Sequence, residues 1–159
     1  MNVDVVQLKF QRFGNEETNY HILNKEYCCE ELKTLMDKEQ IIPVRYETTI
    51  GFSKEINAHK KTLLKLALNF GNSEDIYIID ACPFCKTDIT IRTKEIKDVS
   101  KEVYALQQKI KYLLNKEKIA SSSEQKNIST EVAEINSKLS EYYYITQKEQ
   151  NDNVIENLA

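Results

Sequence analysis

All four cysteines of the chain fall into two pairs, Cys28-Cys29 and the Cys82 and Cys85 of a Cys-Pro-Phe-Cys segment. Zinc binds four soft ligands at the corners of a tetrahedron, and a Cys-x-x-Cys turn presents two thiolates at a suitable separation. Two pairs would complete the shell and leave no position open for water, as in structural sites. The pattern therefore predicts a structural Zn²⁺ site with Cys28, Cys29, Cys82 and Cys85 as its ligands, and no catalysis at the metal.

The adjacency of Cys28 and Cys29 limits how both can reach one ion. Neighbouring side chains of a regular element project in different directions, so both thiols can bind only where the backbone is irregular, as at a helix N-cap. If one thiol points away, a histidine could replace it. The candidates are His21, on a predicted strand, and His59, on the apolar face of a predicted helix, although such a lone histidine is more often structural.

The Cys82 to Cys85 segment also has a redox interpretation. An apolar run followed by Cys-Pro-Phe-Cys is similar to a glutaredoxin site, where the first thiol is a nucleophile at a helix N-terminus and the second resolves the mixed disulfide. However, residues 87–91 have the alternation and β-branched residues of a strand, and this interpretation leaves Cys28-Cys29 unexplained. A thiol oxidoreductase is thus the enzyme alternative to a non-enzymatic zinc protein.

The elements before and around the first cysteine pair are a hairpin and a helix. Residues 6–10 and 20–22 alternate as half-buried strands do, and Gly14-Asn15 offers a turn between them. From Cys28 to Lys38 apolar residues recur at three- and four-residue steps, which is typical of a helix. The vicinal cysteines are therefore predicted to lie at a helix start.

Between the two cysteine pairs the pattern predicts a strand, a helix and a second strand. Residues 42–52 alternate, and Pro43 favours an edge position because it cannot donate a ladder hydrogen bond. Ser53 is a suitable cap for a helix that extends to Phe70, just before Gly71. The apolar run at 76–79 predicts a buried strand that leads into the Cys82 to Cys85 segment.

From about Glu95 onward the chain has a coiled-coil pattern in two series. The first is Ile96, Val99, Val103, Leu106, Ile110 and Leu113, and the second is Ile128, Val132, Ile135, Leu139 and Tyr142. The two series do not form one continuous apolar seam. If the heptad register of the first series were extended through the second, acidic residues would occupy seam positions. A break at Ala120–Asn127 predicts a helical hairpin. The alternative is one long helix with a skip residue that pairs with another subunit.

Tyr142, Tyr143 and Tyr144 are three consecutive tyrosines near the end of the second series. Together they cover most of a helix circumference, so at least one lies outside the seam. Tyrosine is enriched at binding hot spots, and we therefore predict that these residues contact a partner, with packing inside the protein as the alternative.

These patterns together predict an α+β protein. A small zinc-ribbon-like, β-rich domain with one or two helices would occupy residues 1–94, and a helical hairpin or coiled coil would occupy residues 95–150. Residues 151–159 are polar with few apolar positions, which predicts a flexible tail.

Composition narrows the function classes. The formal charge is -3, with 22 basic and 25 acidic residues, so no net positive field attracts nucleic acid, and a nucleic-acid-binding ribbon would need a local basic patch. The start of the chain lacks the pattern of a signal peptide, and no apolar run is long enough to cross a membrane. We therefore expect a cytoplasmic protein, in which paired cysteines favour metal binding over disulfides.

At these residues the chain resembles a group of small zinc-ribbon-like proteins common in bacteriophage and prophage genomes. Their pattern of Cys-Cys-x-x-Leu/Met-Lys, a strand and Cys-Pro-x-Cys-Gly appears here at 28–33 and 78–85. The likeness covers roughly residues 20–92, with Lys86 in place of the glycine and the segment 53–70 as an insertion. The resemblance implies a metal-stabilised fold and little about activity.

The expected function is binding. The zinc-stabilised part would provide a rigid surface, while the helices form a homo-oligomer such as a dimer or bind another protein. The coiled-coil pattern, together with the resemblance to phage-type proteins, motivates the hypothesis that the protein serves as an adaptor or as a phage-encoded modulator of a host complex.

Overall fold

The computed structural model describes residues 1–50, 59–69 and 77–147, and it is a mixed structure of strands and helices. Within these residues the strands are β1 (Asn2–Arg12), β2 (Asn15–Glu26), β3 (Ile41–Ile50), β4 (His59–Leu68), β5 (Tyr77–Ile79), β6 (Thr90–Asp98) and β7 (Thr146–Gln147). The helices are α1 (Glu30–Asp37), α2 (Ser100–Glu117) and α3 (Ser122–Tyr143). One sheet has the strand order β6-β1-β2-β7 and the other β3-β4-β5. The predicted combination of α and β structure is thus confirmed.

The chain divides into two compact units. The cysteine unit contains Met1–Val6 and His21–Lys94, and the helical unit contains Gln7–Tyr20 and Glu95–Thr146. Each unit buries its own apolar side chains. Those of the cysteine unit include Val3, Val5, Ile22, Leu32, Met36, Ile41, Leu64 and Leu66, and those of the helical unit include Leu8, Phe10, Val103, Leu113, Ile128, Ile135 and Leu139.

The opening hairpin forms as predicted, but its turn lies one residue earlier. β1 ends at Arg12 and β2 begins at Asn15, so the loop consists of Phe13 and Gly14. Both have positive φ, 53° and 77°, which is the backbone of a type I′ turn and matches the twist of the strands. Asn15 is therefore the first residue of β2 and not part of the turn.

The helix predicted over Ser53–Phe70 is wrong within the described residues, because residues 59–68 form β4. β4 pairs antiparallel with β3 in a register that runs from Ile41↔Leu68 to Ile50↔His59. Leu64 and Leu66, two residues apart, are both buried, which is the period of a strand. β3 is an edge strand, in agreement with Pro43. Residues 51–58 and 70 lie outside the described part of the chain.

The helical hairpin forms within one chain, and α2 and α3 pack against each other. The predicted break at Ala120–Asn127 is too long, since α2 ends at Glu117 and α3 already begins at Ser122. The single long helix is not observed. Ile128, Ile135 and Leu139 of the second series are buried in this unit.

The first seam series begins too early. β6 extends to Asp98 and α2 begins only at Ser100, so Ile96 is a strand residue and is 60% exposed. The described helices include none that is long and apolar enough to cross a membrane. The predicted flexible tail, residues 151–159, lies outside the described residues.

Candidate metal centre

The thiols of the two cysteine pairs come together in the cysteine unit. The sulfur atoms of Cys28, Cys29, Cys82 and Cys85 all lie within 4.8 Å of one another. The Sγ atoms of Cys29 and Cys82 are 3.6 Å apart. All four predicted ligands are therefore in one cluster, and each cysteine is a free thiol.

The backbone at the start of α1 explains how adjacent cysteines reach the same point. Cys29 is the N-cap of α1, with φ -160° and ψ 161°. This extended conformation precedes the helix, so Cys28 and Cys29 are not held to the 100° step between helical neighbours. Leu32, fully buried in the first turn, fixes this end of the helix in the core. The backbone departure from a regular helix that adjacent cysteine ligands need is therefore present at this N-cap.

The second pair lies in a tight loop between β5 and β6. The N–H of Cys82 donates to the carbonyl of Thr87 over 2.8 Å, and the N–H of Lys86 donates to the carbonyl of Cys82 over 3.0 Å. Lys86 has a φ of 64°, the left-handed conformation that glycine adopts more readily. Lysine at this position therefore keeps the turn that the glycine of the zinc-ribbon pattern would provide. No helix follows Cys85 here, because the chain continues into β6.

Hydrogen bonds divide the four thiols into two classes. The hydroxyl and N–H of Thr87 contact the Cys85 sulfur and lower the pKa of Cys85 to about 6. Desolvation raises the pKa of Cys82, but the N–H groups of Cys85 and Phe84 outweigh it and the net pKa is lowered. Negative charge is therefore stabilised first on the Cys-Pro-Phe-Cys pair.

The other pair retains its protons more strongly. Desolvation and contacts with the Cys85 and Cys82 thiols raise the pKa of Cys28. The N–H of Leu32 lowers the pKa of Cys29, but desolvation and the proximity of Cys82 dominate and raise it to about 12. A divalent cation among the four sulfurs would reverse this, because it stabilises every thiolate at once.

The donor set fits Zn²⁺. A tetrahedron with Zn–S bonds of ~2.3 Å has sulfurs about 3.8 Å apart, close to the separation between Cys29 and Cys82. N–H groups that point at the sulfurs are the outer-shell partners expected around such an ion. Tetrahedral sites with four sulfur ligands favour zinc or iron. Calcium and magnesium are excluded, because they prefer oxygen ligands to soft thiolates.

Of the two histidine alternatives, His21 does not enter this cluster, and the structure leaves His59 untested. His21 is buried on β2, and the described cluster contains cysteines alone. His59 is a residue of β4 and not of a helix, and its side chain lies outside the described part of the structure.

The three tyrosines have different environments in the helical unit. Tyr143 packs on Phe10 with ring centroids 5.5 Å apart, and its hydroxyl accepts a hydrogen bond of 2.7 Å from Gln107. Tyr142 is half-buried, whereas Tyr144 is 59% exposed. Tyr143 is thus engaged within the chain, and Tyr144 is the member of the trio most accessible to a partner.

Two residues with distinctive environments, Thr87 and Phe13, were not identified from the sequence. Thr87 lies two residues after Cys85, and its hydroxyl contacts the Cys85 sulfur. A hydroxyl residue so soon after the second cysteine of a Cys-x-x-Cys turn is a sequence signal for such a contact. Phe13, in the first turn, is 86% exposed. An aromatic residue immediately before a glycine at a hairpin tip was also a readable signal.

No family model, curated protein or solved structure matches this chain.

Proposed function

We propose that the protein is a non-enzymatic, zinc-stabilised module that binds another protein. The observation that supports this proposal is the convergence of four thiols within 4.8 Å. Cys28, Cys29, Cys82 and Cys85 would hold one Zn²⁺, which would join the start of α1 to the loop before β6. Four protein ligands leave no coordination position for substrate, and the ion would therefore stabilise the fold instead of catalysing a reaction.

The binding function would reside in the helical unit. Tyr104, Tyr112 and Tyr144 are between 59% and 64% exposed there. Tyrosine contributes a large apolar ring and a polar hydroxyl at modest entropic cost, which is why it recurs at binding hot spots. Such a module would suit an adaptor or a phage-encoded modulator of a host complex.

Homo-oligomerisation through the helices stays a prediction, and it would have to use these outer surfaces. The apolar seam between α2 and α3 is covered within one chain, as Val103 is fully buried and Leu113 is 5% exposed. An interchain coiled coil along that seam is therefore unnecessary. Nucleic acid is a poorer partner class, because the chain carries a formal charge of -3.

Metal analysis of the protein purified without added zinc tests the first half of the proposal. We expect one zinc per chain and four thiols that react with a thiol reagent only after chelation. The thiol oxidoreductase alternative predicts instead metal-free protein with a reversible disulfide between Cys82 and Cys85. Iron in place of zinc would keep the site but change its ion.

Site-specific photo-crosslinking tests the second half. A photoreactive phenylalanine analogue at Tyr144 or Tyr112 should yield a discrete adduct with a protein partner in host cells. The same analogue at exposed Glu16, on β2, serves as the control position. A zinc-loaded monomer that gives no adduct at any of the exposed tyrosines would contradict the binding function while leaving the metal site intact.

A further inference from the structure

A groove lies in the helical unit between the tip of the opening hairpin and the two helices. It encloses about 400 Å³, within the range of ligand-binding pockets. Arg12 and Phe13 form one wall, Lys111 lies on α2, and Ile110, Leu139 and Tyr143 provide the apolar and aromatic surface. Apolar side chains and cations thus face the same space.

The charged groups that the described residues contribute to the groove are all positive. Arg12 and Lys111 line it together with uncharged residues, and none of the described carboxylates belongs to its lining. In the described part of the chain neither cation forms a salt bridge. An occupant that supplies a carboxylate would therefore neutralise positive charge that the described residues leave without an ion pair.

Arg12 is held in an orientation suited to this task. Its guanidinium carbon lies 5.0 Å from the ring centroid of Phe13 and 4.0 Å from that of Tyr143. Stacking on aromatic rings occupies the faces of a guanidinium, while its N–H groups point outward in the plane. Those N–H groups can donate two parallel hydrogen bonds to one carboxylate.

Phe13 is an unfavourable residue for the structure of the free protein. Its φ of 53° is strained for a bulky side chain, and the residue is 86% exposed. Asparagine or glycine would satisfy the same turn at lower cost. Phe13 thus departs from the residue types that favour positive φ and from the tendency of aromatic side chains to be buried. Such a costly residue beside a groove is expected where ligand binding compensates for the lost stability.

We propose that this groove binds an acidic peptide segment of a partner protein, in which an Asp or Glu lies next to an apolar side chain. The carboxylate pairs with Arg12 and Lys111, and the apolar side chain packs on Ile110 and Phe13. The amides of Gln108 and Asn136 have donors and acceptors for the peptide backbone. This proposal rests on the protein-binding function and specifies its partner.

A peptide fits these observations better than nucleic acid or a second copy. Single-stranded nucleic acid needs a row of cations along its backbone, whereas the groove has two and the whole chain is acidic. A second copy would bring its own groove cations against these if the two grooves faced each other.

Selection from a displayed random peptide library against the zinc-loaded full chain provides a probe. We expect the enriched peptides to combine an acidic residue with an adjacent Leu, Ile or Phe. By fluorescence anisotropy, Arg12→Gln and Lys111→Gln should each weaken the binding of the best peptide about ten-fold. Lys116→Gln, on an exposed part of α2 outside the groove, should leave binding unchanged.

Phe13→Asn separates binding from folding. The substitution should raise the thermal midpoint, because asparagine tolerates the left-handed turn, yet weaken peptide binding about ten-fold. A charge reversal identifies the carboxylate contact. If a peptide whose acidic residue is replaced by lysine binds the Arg12→Glu variant but not the wild type, the peptide carboxylate contacts Arg12.

Three results would overturn the proposal. The first is enrichment of neutral or basic peptides in the selection. The second is binding of an oligo(dT) strand that Arg12→Gln abolishes, and the third is a concentration-dependent dimer that Arg12→Glu dissociates. If the groove variants bind the selected peptide normally but the photo-adduct at Tyr144 persists, the groove proposal fails and the binding function stands.

Discussion

The side-chain amide of Asn19 donates a hydrogen bond of 2.6 Å to the carbonyl oxygen of Tyr142. A second bond from the same nitrogen, of 2.7 Å, reaches the carbonyl of Tyr144. Asn19 is fully buried on β2, and the two carbonyls lie at the end of α3, where helix carbonyls lack intrahelical donors. A strand residue thus caps a helix that ends more than a hundred residues later, and it fixes Tyr143 between the two accepting carbonyls.

We expect this cap to be important for the stability of the helical unit. Asn19→Ala should lower the free energy of unfolding by about 1–3 kcal/mol, because two partly buried hydrogen bonds to helix-end carbonyls are lost. Asn19→Asp should cost more, since a carboxylate would face both carbonyl oxygens. Urea titrations compare these variants with Asn15→Ala at the exposed start of β2, which should remain near wild type. Equal stability of all three variants would show that the cap contributes nothing.

Lys86 gives a second stability prediction. Its φ of 64° costs a residue with a Cβ more than it costs glycine. Lys86→Gly should therefore stabilise the protein by about 0.5–1 kcal/mol, after allowance for the greater freedom of glycine in the unfolded chain. Lys86→Ala keeps the Cβ and should give no such gain, and thermal denaturation of the two variants measures the difference. A gain of equal size in both would trace the effect to the loss of the lysine charge.

The sequence was sufficient where chemistry or local backbone preference dominates. Four cysteines in two pairs predicted the cluster, and the requirement for an irregular backbone at Cys28 and Cys29 predicted the N-cap that is found. The second apolar series predicted the buried face of α3, because Ile128, Ile135 and Leu139 recur over several turns. Long, regular patterns and metal-ligand spacing carry their information locally.

The sequence was insufficient where long-range pairing decides the structure. The segment around Leu63–Leu68 fits the apolar face of a helix, yet its backbone pairs with β3 on one side and β5 on the other. Ile96 fits a heptad by coincidence, since β6 continues through it. Hydrogen bonds to strands distant in sequence cannot be read from spacing within a short window.

Asp4 links stability to pH in the cysteine unit. Arg92 forms a bidentate pair with its carboxylate over 2.6 Å and 3.1 Å, and these hydrogen bonds lower the pKa of Asp4 below its usual 3.8. A lowered pKa in the folded state means that the stabilisation is complete above about pH 4 and is lost as the pH falls through the lower folded-state value.

We expect Asp4→Asn to destabilise the protein by about 1–2 kcal/mol at pH 7, and by progressively less as the pH falls below 4. Measuring the difference in unfolding free energy between wild type and variant at each pH cancels the effect of acid on the thiols. Glu16→Gln, at an exposed position on β2, is the matched control and should show a small, constant difference. If the difference in unfolding free energy between wild type and Asp4→Asn does not change with pH, the ion pair between Asp4 and Arg92 is not the cause of the destabilisation.

Metal removal gives the most direct prediction for the cysteine cluster. Because four ligands from two distant segments would be released together, a strong zinc chelator should lower the thermal midpoint of the wild type by roughly 10 °C or more. Cys82→Ser should lower it similarly without chelator, since Cys82 is fully buried in the cluster. The chelator should then have no further effect on that variant, because the two perturbations remove the same interaction. Additive losses would show that Cys82 stabilises the fold by packing alone and that any bound zinc lies elsewhere.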